Sequence, residues 1–189
     1  MIVKTLFLFL TFFLKVQCFA QTMPPDLQPP ECKVLGKYFV RQTPDLNSNG
    51  EFMAFYYLNG QDTSEAACAA NNYGTPILKI EKAGSILLEI RDDLVFIDTG
   101  TGPGARGFEI YDLIRKQSVF KWSYNKYKFK SDNEIEFWTQ EINTNACSKV
   151  EISKNKEDGF NSATIRRYLL NIKSMKLKKT QETKCTPVQ

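Results

Sequence analysis

The sequence contains no histidine among its 189 residues. Without an imidazole the chain cannot build Ser-His-Asp or Cys-His nucleophilic sites, a histidine proton relay or the usual zinc hydrolase site. Carboxylates such as Asp98 and Glu109 remain, but the sequence does not place such a pair at the separation of roughly 5 to 10 Å that a glycosidase needs. We therefore expect a protein that is not an enzyme, and no cofactor is predicted.

The chain also lacks an apolar run long enough to cross a membrane. Residues 6–14 are apolar, follow Lys4, and precede small residues at both positions that signal peptidase reads, Cys18 and Ala20. The run is shorter than the roughly 20 residues of a membrane-spanning helix. We predict a cleaved signal peptide over residues 1–20, no stable membrane span afterwards, and a secreted or periplasmic location.

Strong net charge is absent as well. The formal charge of +4 includes Lys4 and Lys15, so removal of the signal peptide leaves +2. General polyanion binding is not implied, and we expect no nucleic-acid partner. The charge is uneven, however, because residues 166–184 hold seven basic residues against one acid, Glu182. One edge of the molecule should therefore be basic.

Four cysteines remain after the signal peptide: Cys32, Cys68, Cys147 and Cys185. An even number of cysteines in an oxidising compartment predicts two disulfides rather than reactive thiols. Three pairings are possible. We prefer Cys32 with Cys68 and Cys147 with Cys185, because the partners in each pair are nearer in sequence.

Residues 21–31 include four prolines and predict an extended leader, after which residues 32–189 have the length of a single β-domain. Short runs of β-branched and aromatic residues between turn residues predict strands. The runs are 37–42, 51–58, 77–81, 86–91, 94–98, 108–112, 119–124, 127–130, 135–141 and 150–153. The pattern predicts an all-β fold, an antiparallel sandwich or barrel of about eight to ten strands that is stapled by disulfides.

Residues 119–130 give the clearest hairpin prediction, because aromatic residues alternate with lysine or serine. Such a surface could stack bases or sugars, but strict alternation favours aromatic side chains in the core and lysines in water. The segments 108–120 and 168–177 share a strand, turn, strand rhythm and are predicted as equivalent hairpins. Two copies do not define a repeat protein.

Two segments resist assignment as strands. Asp62, Glu65 and an alanine-rich body up to Asn72 predict one short helix. Residues 162–178 fit either a helix or a pair of strands. We favour strands there, because the flanking lysines and Thr180 do not continue a helical stripe.

The loop after residue 97 is the leading site candidate. Its glycines follow an apolar run and match a dinucleotide fingerprint, but the next segment predicts a strand where that fingerprint requires a helix. We interpret the loop either as a broad connection whose glycines supply positive φ, or as a recognition loop for an anion or a partner's carboxylate. The candidate residues are Asp98, Thr99, Gly100, Thr101, Gly102, Gly104 and Arg106.

Asp45, Asn47 and Asn49 reproduce the first half of a calcium loop. Position twelve of such a loop, where a bidentate glutamate is needed, is Tyr56. Asn49-Gly50 is also a hairpin turn signal, so a plain turn is favoured over a calcium site.

These patterns favour an exported, non-enzymatic domain that binds a protein or a cell-envelope component through loops. The alternative is a carrier. Gly36-Lys37-Tyr38 resembles the Gly-x-Trp start of lipocalins, with Tyr in place of Trp, and this resemblance implies a barrel that holds a small apolar ligand.

Overall fold

A computed structural model describes residues 29–47, 49–60, 62–100, 106–141 and 146–188, which form three four-stranded antiparallel sheets in sequence order. Sheet 1 contains β1 (Glu31–Leu35), β2 (Tyr38–Pro44), β3 (Glu51–Tyr57) and β4 (Leu78–Ile80). Sheet 2 contains β5 (Ser85–Arg91), β6 (Leu94–Thr99), β7 (Arg106–Asp112) and β8 (Gln117–Tyr124). Sheet 3 contains β9 (Lys126–Ser131), β10 (Glu134–Gln140), β11 (Asn161–Asn171) and β12 (Lys176–Val188). The all-β prediction is confirmed, with twelve strands instead of eight to ten.

The three sheets repeat one plan. In each sheet every strand pairs with its neighbour in sequence, and a two-residue turn joins the first strand to the second. The residue that follows the third strand then donates its N–H to a carbonyl of that turn, at 2.9 Å in each sheet. These bonds join Leu58 to Lys37, Leu113 to Asp93, and Ile172 to Asn133. The same contact in three places makes the sheets equivalent units.

The predicted hairpins at 108–120 and 168–177 are the last two strands of sheets 2 and 3. Each has a four-residue connection whose fourth residue has positive φ, Lys116 at 56° and Met175 at 52°. In sheet 1 a long insertion separates β3 from β4. Because of that insertion, the strand, turn, strand pattern of the other two sheets is not visible in the sequence of sheet 1.

The hydrophobic core consists of two layers, because sheet 2 is packed between the other two sheets. Val95 and Ile97 of β6 face sheet 1 and join one buried cluster, whereas Phe96 faces sheet 3 and joins the other. A strand that is buried on both faces shows a continuous apolar run rather than alternation. The sequence of β6 has this character from Leu94 to Ile97.

The hairpin predicted for residues 119–130 is wrong, although its alternation is correct. The aromatic side chains do enter the core between sheets 2 and 3, and the lysines are exposed. However, β8 pairs with β7 and β9 pairs with β10, so the two strands lie in different sheets. Only Asn125 lies between them, and a tight hairpin needs about two turn residues. A corner between stacked sheets gives the same alternation as a hairpin.

The described residues form two helices where the sequence predicts one. The predicted helix near Cys68 is confirmed as α1 (Glu65–Ala70), with Ser64 as its N-cap. The strand predicted at 150–153 is wrong, because these residues belong to α2 (Lys149–Glu157). Ser148 and Glu151 form a capping box there, and Val150 is 78% exposed, so its apolar side chain does not enter a sheet core.

Two further predictions are confirmed. Residues 162–178 lie in β11, in β12 and in the turn between these strands. Disulfides join Cys32 to Cys68 and Cys147 to Cys185, the pairing preferred from sequence. The predicted signal peptide and all but the last residues of the predicted leader lie outside the described residues.

Candidate functional site

Two loops that the sequence singles out separately meet at one end of the stack. The β2–β3 loop and the β6–β7 loop both approach Gly84, which directly precedes β5. A Cβ atom at Gly50 would lie 2.5 Å from the Gly84 Cα, and the Gly100 N–H donates to the Gly84 carbonyl at 3.0 Å. We call this region, formed by residues 45–47, 49 and 50 together with Gly84, Gly100 and Arg106, the loop end.

Arg106 is held at the loop end by a carboxylate of its own chain. Its Nε donates to Asp98 Oδ1 at 3.0 Å, and its Nη2 lies 2.5 Å from Oδ2. The Asp98 side chain is 8% exposed and the Arg106 side chain 32%. Such a two-point pair is among the stronger polar contacts in proteins, so it fixes both ends of the loop. Burial and the neighbouring Asp98 carboxylate both raise the pKa of Tyr124, which keeps this phenol neutral beside the pair.

The glycines of the β6–β7 loop that the structure describes have backbone roles. Gly100 has a φ of 117°, a conformation that side chains rarely adopt. A Cβ at Gly107 would collide with the Oγ1 of Thr99, whose side chain lies where the two strands pair. These contacts fit the interpretation as a broad connection. Thr101, Gly102 and Gly104 lie outside the described residues, so recognition by this loop stays a prediction.

The predicted calcium residues form a turn. Asp45 is buried, its N–H donates to the Gly50 carbonyl at 2.9 Å, and its carboxylate accepts the Asn47 N–H at 3.0 Å. Asn47 and Asn49 are exposed. Within the described ranges no three acidic or cysteine side chains group in a way that could hold a metal ion. The contacts are those of the favoured plain turn, and the metal site stays a prediction.

The two carboxylates considered for catalysis point to opposite faces of sheet 2. Phe108, the partner of Asp98 in the pairing of β6 with β7, faces sheet 3, so Asp98 shares that face, while the next residue, Glu109, faces sheet 1. Glu109 is buried, which alone would raise its pKa, but contacts with Lys82 and Tyr111 outweigh burial and lower it. A general acid in glycoside hydrolysis needs a raised pKa. Glu109 therefore does not match that role, and the two carboxylates lie on opposite faces of the sheet.

Sheet 3 carries a basic surface that the sequence indicates only in pieces. Paired residues of neighbouring strands project to the same face, and one row across all four strands runs through Lys128, Glu136, Leu169 and Lys178. This face points away from sheet 2, and we call it the outer face of sheet 3. Its charged side chains are Lys126, Lys128, Lys130, Arg167, Lys176, Lys178 and Lys184, against Glu134, Glu136 and Glu182.

The sequence does not show that the lysines of β9 and the basic residues of 166–184 share one surface. That arrangement depends on β9 and β12 being the two edge strands of one sheet. The alternation of lysines in β9 was the available signal. It indicates a solvent face, but not which other strand shares that face.

The space that a carrier would need is occupied by side chains. The two layers between the sheets contain the buried clusters. Within one layer, the centre of the Phe108 ring lies 4.9 Å from that of Phe137 and 5.3 Å from that of Tyr127. A groove of 740 Å³ lies at the surface beside the Cys32–Cys68 disulfide. The lipocalin-like carrier stays a prediction that this packing does not favour.

The stack and its staples define a class of protein: a disulfide-bonded, three-layer antiparallel β-domain. Two disulfides indicate an oxidising environment. No helix within the described ranges is both long and apolar enough to cross a bilayer. In comparisons with known proteins, the chain matches no family model, no curated protein and no solved structure.

Proposed function

We propose that the protein is an exported, non-enzymatic binding domain that captures a protein or cell-envelope component through its loop end. The observation that carries this proposal is the meeting of the β2–β3 and β6–β7 loops at Gly84. Loops on a rigid β scaffold are common positions for recognition, because the scaffold fixes their ends while their tips remain free to vary.

The loop end has the composition of a contact surface. Leu46 is 61% exposed at the tip of the β2–β3 loop, between the buried Asp45 and the exposed Asn47. In the neighbouring β6–β7 connection, the Asp98–Arg106 pair holds the ends of the two strands together. An apolar side chain that is surrounded by hydrogen-bonding groups and mounted on a fixed backbone suits protein recognition.

The absence of enzymatic activity is part of the proposal. The chain has no histidine, and the buried carboxylates Asp98 and Glu109 each have a cation of their own. The four cysteines of the mature chain are joined in disulfides, which removes them as nucleophiles. These observations support binding over catalysis.

The test uses two exposed apolar residues at opposite ends of the stack. Leu46 lies at the loop end, and Ile114, 55% exposed, lies in the β7–β8 turn at the other end. The protein, Leu46→Asp and Ile114→Asp are immobilised and exposed to the medium and envelope fraction of the producing cell. We expect Leu46→Asp to weaken partner capture by about tenfold or more, whereas Ile114→Asp captures normally.

Equal capture by all three proteins would contradict the proposal, provided that their thermal unfolding is the same. Arg106→Ala is the less suitable variant, because it would leave the buried Asp98 carboxylate without its cation and would lower stability.

A further inference from the structure

The outer face of sheet 3 carries exposed lysines along two edges, and one of them, Lys130, pairs with Glu136 at 4.0 Å. Lys126, Lys128 and Lys130 project from β9, and Lys176 and Lys178 project from β12. All five are exposed. The two strands are the edges of a four-stranded sheet, so the two groups of lysines are roughly 14 Å apart, three strand spacings of about 4.8 Å.

The strip between the two edges is electrically satisfied. Glu136 accepts from the Trp138 indole at 2.9 Å and lies 2.8 Å from the Arg167 Nε, and Arg167 also pairs with Glu182 at 2.7 Å. The Lys184 ammonium lies over the Trp138 ring, 3.5 Å from its centre. With Lys130 counted as the partner of Glu136, the three acids of this face, Glu134 included, balance three cations. The net positive charge of the face is that of Lys126, Lys128, Lys176 and Lys178 at its edges.

We propose that this face docks on the surface of an anionic lipid bilayer. A bilayer presents a plane of negative headgroups, which can contact both edges of the sheet at once. A single extended polyanion is narrower and could follow only one edge. Seven cationic side chains against three acidic ones give the face the charge complementarity that such a surface requires.

The contact is electrostatic and does not involve insertion into the bilayer. The exposed large apolar side chains of the described residues lie outside the four strands of this face, and Trp138 is 7% exposed. Insertion of an interfacial segment needs an apolar surface. Binding should therefore decline steeply as salt rises toward about 0.15 M, where the Debye length is about 8 Å.

The test is co-sedimentation with vesicles of phosphatidylglycerol and phosphatidylcholine in equal parts, at low ionic strength, using the protein with both disulfides formed. The variant Lys128→Glu/Lys178→Glu reverses one lysine at each edge. Its matched control is Lys33→Glu/Lys79→Glu, which changes net charge equally on sheet 1, where these side chains are 42% and 58% exposed. We expect the first variant to bind at least about 30-fold more weakly and the control to bind within about threefold of the parent.

Three results would overturn the proposal. The control could lose as much binding as the variant, which would show that net charge alone matters. The parent could bind phosphatidylcholine vesicles equally well. It could also bind heparin, used as a linear acidic polysaccharide, and fail to bind the anionic vesicles. If the first variant does not fold by circular dichroism, Lys126→Gln/Lys176→Gln, which removes charge without adding acids, decides the question in the same assay.

Discussion

The two outer faces of the stack meet solvent in opposite ways. On sheet 1, Phe39 is fully buried beneath Tyr73, with 4.5 Å between ring centres, and the Cys32–Cys68 disulfide holds α1 beside β1. On the outer face of sheet 3, Trp138 is 7% exposed, and the Lys184 ammonium lies over its ring. Sheet 1 is shielded by an apolar insertion of the chain, and sheet 3 by its own charged residues.

The difference follows from the position of each sheet in the stack. The middle sheet buries both faces against its neighbours, but each terminal sheet has one face without a partner sheet. Such a face must be covered by another element or built from side chains that tolerate water. Long lysine stems cover apolar surface while their ammonium groups remain solvated. Around Trp138 sheet 3 uses such a side chain, and the charge of the lysines at its edges is available to a partner.

The largest effect on stability should come from removing the Cys32–Cys68 disulfide, which joins β1 of sheet 1 to α1. The two disulfides close loops of similar length, with sequence separations of 36 and 38, so the chain-entropy contribution is about 4 kcal/mol for each. We expect Cys32→Ser/Cys68→Ser to lose more than Cys147→Ser/Cys185→Ser in urea unfolding, because Cys68 lies buried in α1 and its loss also loosens the apolar cover. Equal losses would show that the lid adds nothing beyond loop closure.

The next largest effect on stability concerns the aromatic side chains on the outer face of sheet 1, Phe39, Tyr56 and Tyr73. Phe39→Ala should lower the free energy of unfolding by about 3 kcal/mol, because it removes a fully buried ring and leaves a cavity between Tyr56 and Tyr73. The control is Tyr57→Ala on the same sheet, where the side chain is 39% exposed and the loss should be clearly smaller. If both substitutions cost the same, the cover over sheet 1 is not a packed layer.

On sheet 3 the equivalent test removes a charge. Burial opposes ionisation of Glu136, but the Trp138 hydrogen bond and the charges of Arg167 and Lys130 outweigh it and hold its pKa below the ordinary value of 4.5. Glu136→Gln should cost about 2 kcal/mol at neutral pH, the value typical of hydrogen bonds to a charged group. The measurement is urea unfolding over a range of pH.

The same carboxylate sets a pH dependence. A lowered pKa in the folded state means that the contribution of Glu136 is complete above its unfolded pKa of about 4.5 and is lost as the pH falls through the folded value. The difference between the parent and Glu136→Gln should therefore shrink as the solution is acidified below pH 4.5. Glu134→Gln, on the same strand and face, serves as control, and a difference that does not vary with pH would contradict the assignment.

The sequence was informative where local chemistry decides structure. Alternation in β8 and β9 showed which side chains are buried, and the cysteine spacing favoured the correct pairs. It failed where tertiary pairing decides. Nothing local distinguishes a hairpin from a corner at Asn125. The strand predicted at 150–153 is a local error instead: Val150 and Ile152 resemble a strand, but Ser148 and Glu151 form a capping box, which is itself a local signal for a helix start.

The candidate site was predictable only in pieces for the same reason. The β2–β3 and β6–β7 loops each carry turn chemistry that sequence reveals, but their contact through Gly84 depends on how sheet 1 packs on sheet 2. Likewise, Arg106 and Asp98 are identifiable as a possible pair only when β6 and β7 are aligned. Long-range register is a property of the whole stack and not of a short segment.

The smallest effect concerns Lys184, whose ammonium lies over the Trp138 ring. Lys184→Met keeps the length of the stem but removes the ammonium that lies 3.5 Å from the centre of the indole ring. Cation–π contacts at such partly exposed sites contribute about 0.5 to 1 kcal/mol, so we expect a loss of that size in urea unfolding followed by tryptophan fluorescence. Lys178→Met, on the same strand and face, removes an equal charge from solvent and should change stability by less than about 0.5 kcal/mol. If the two substitutions behave alike, the lysine over Trp138 is only a solvated charge, and the outer face of sheet 3 then has no cover comparable with that of sheet 1.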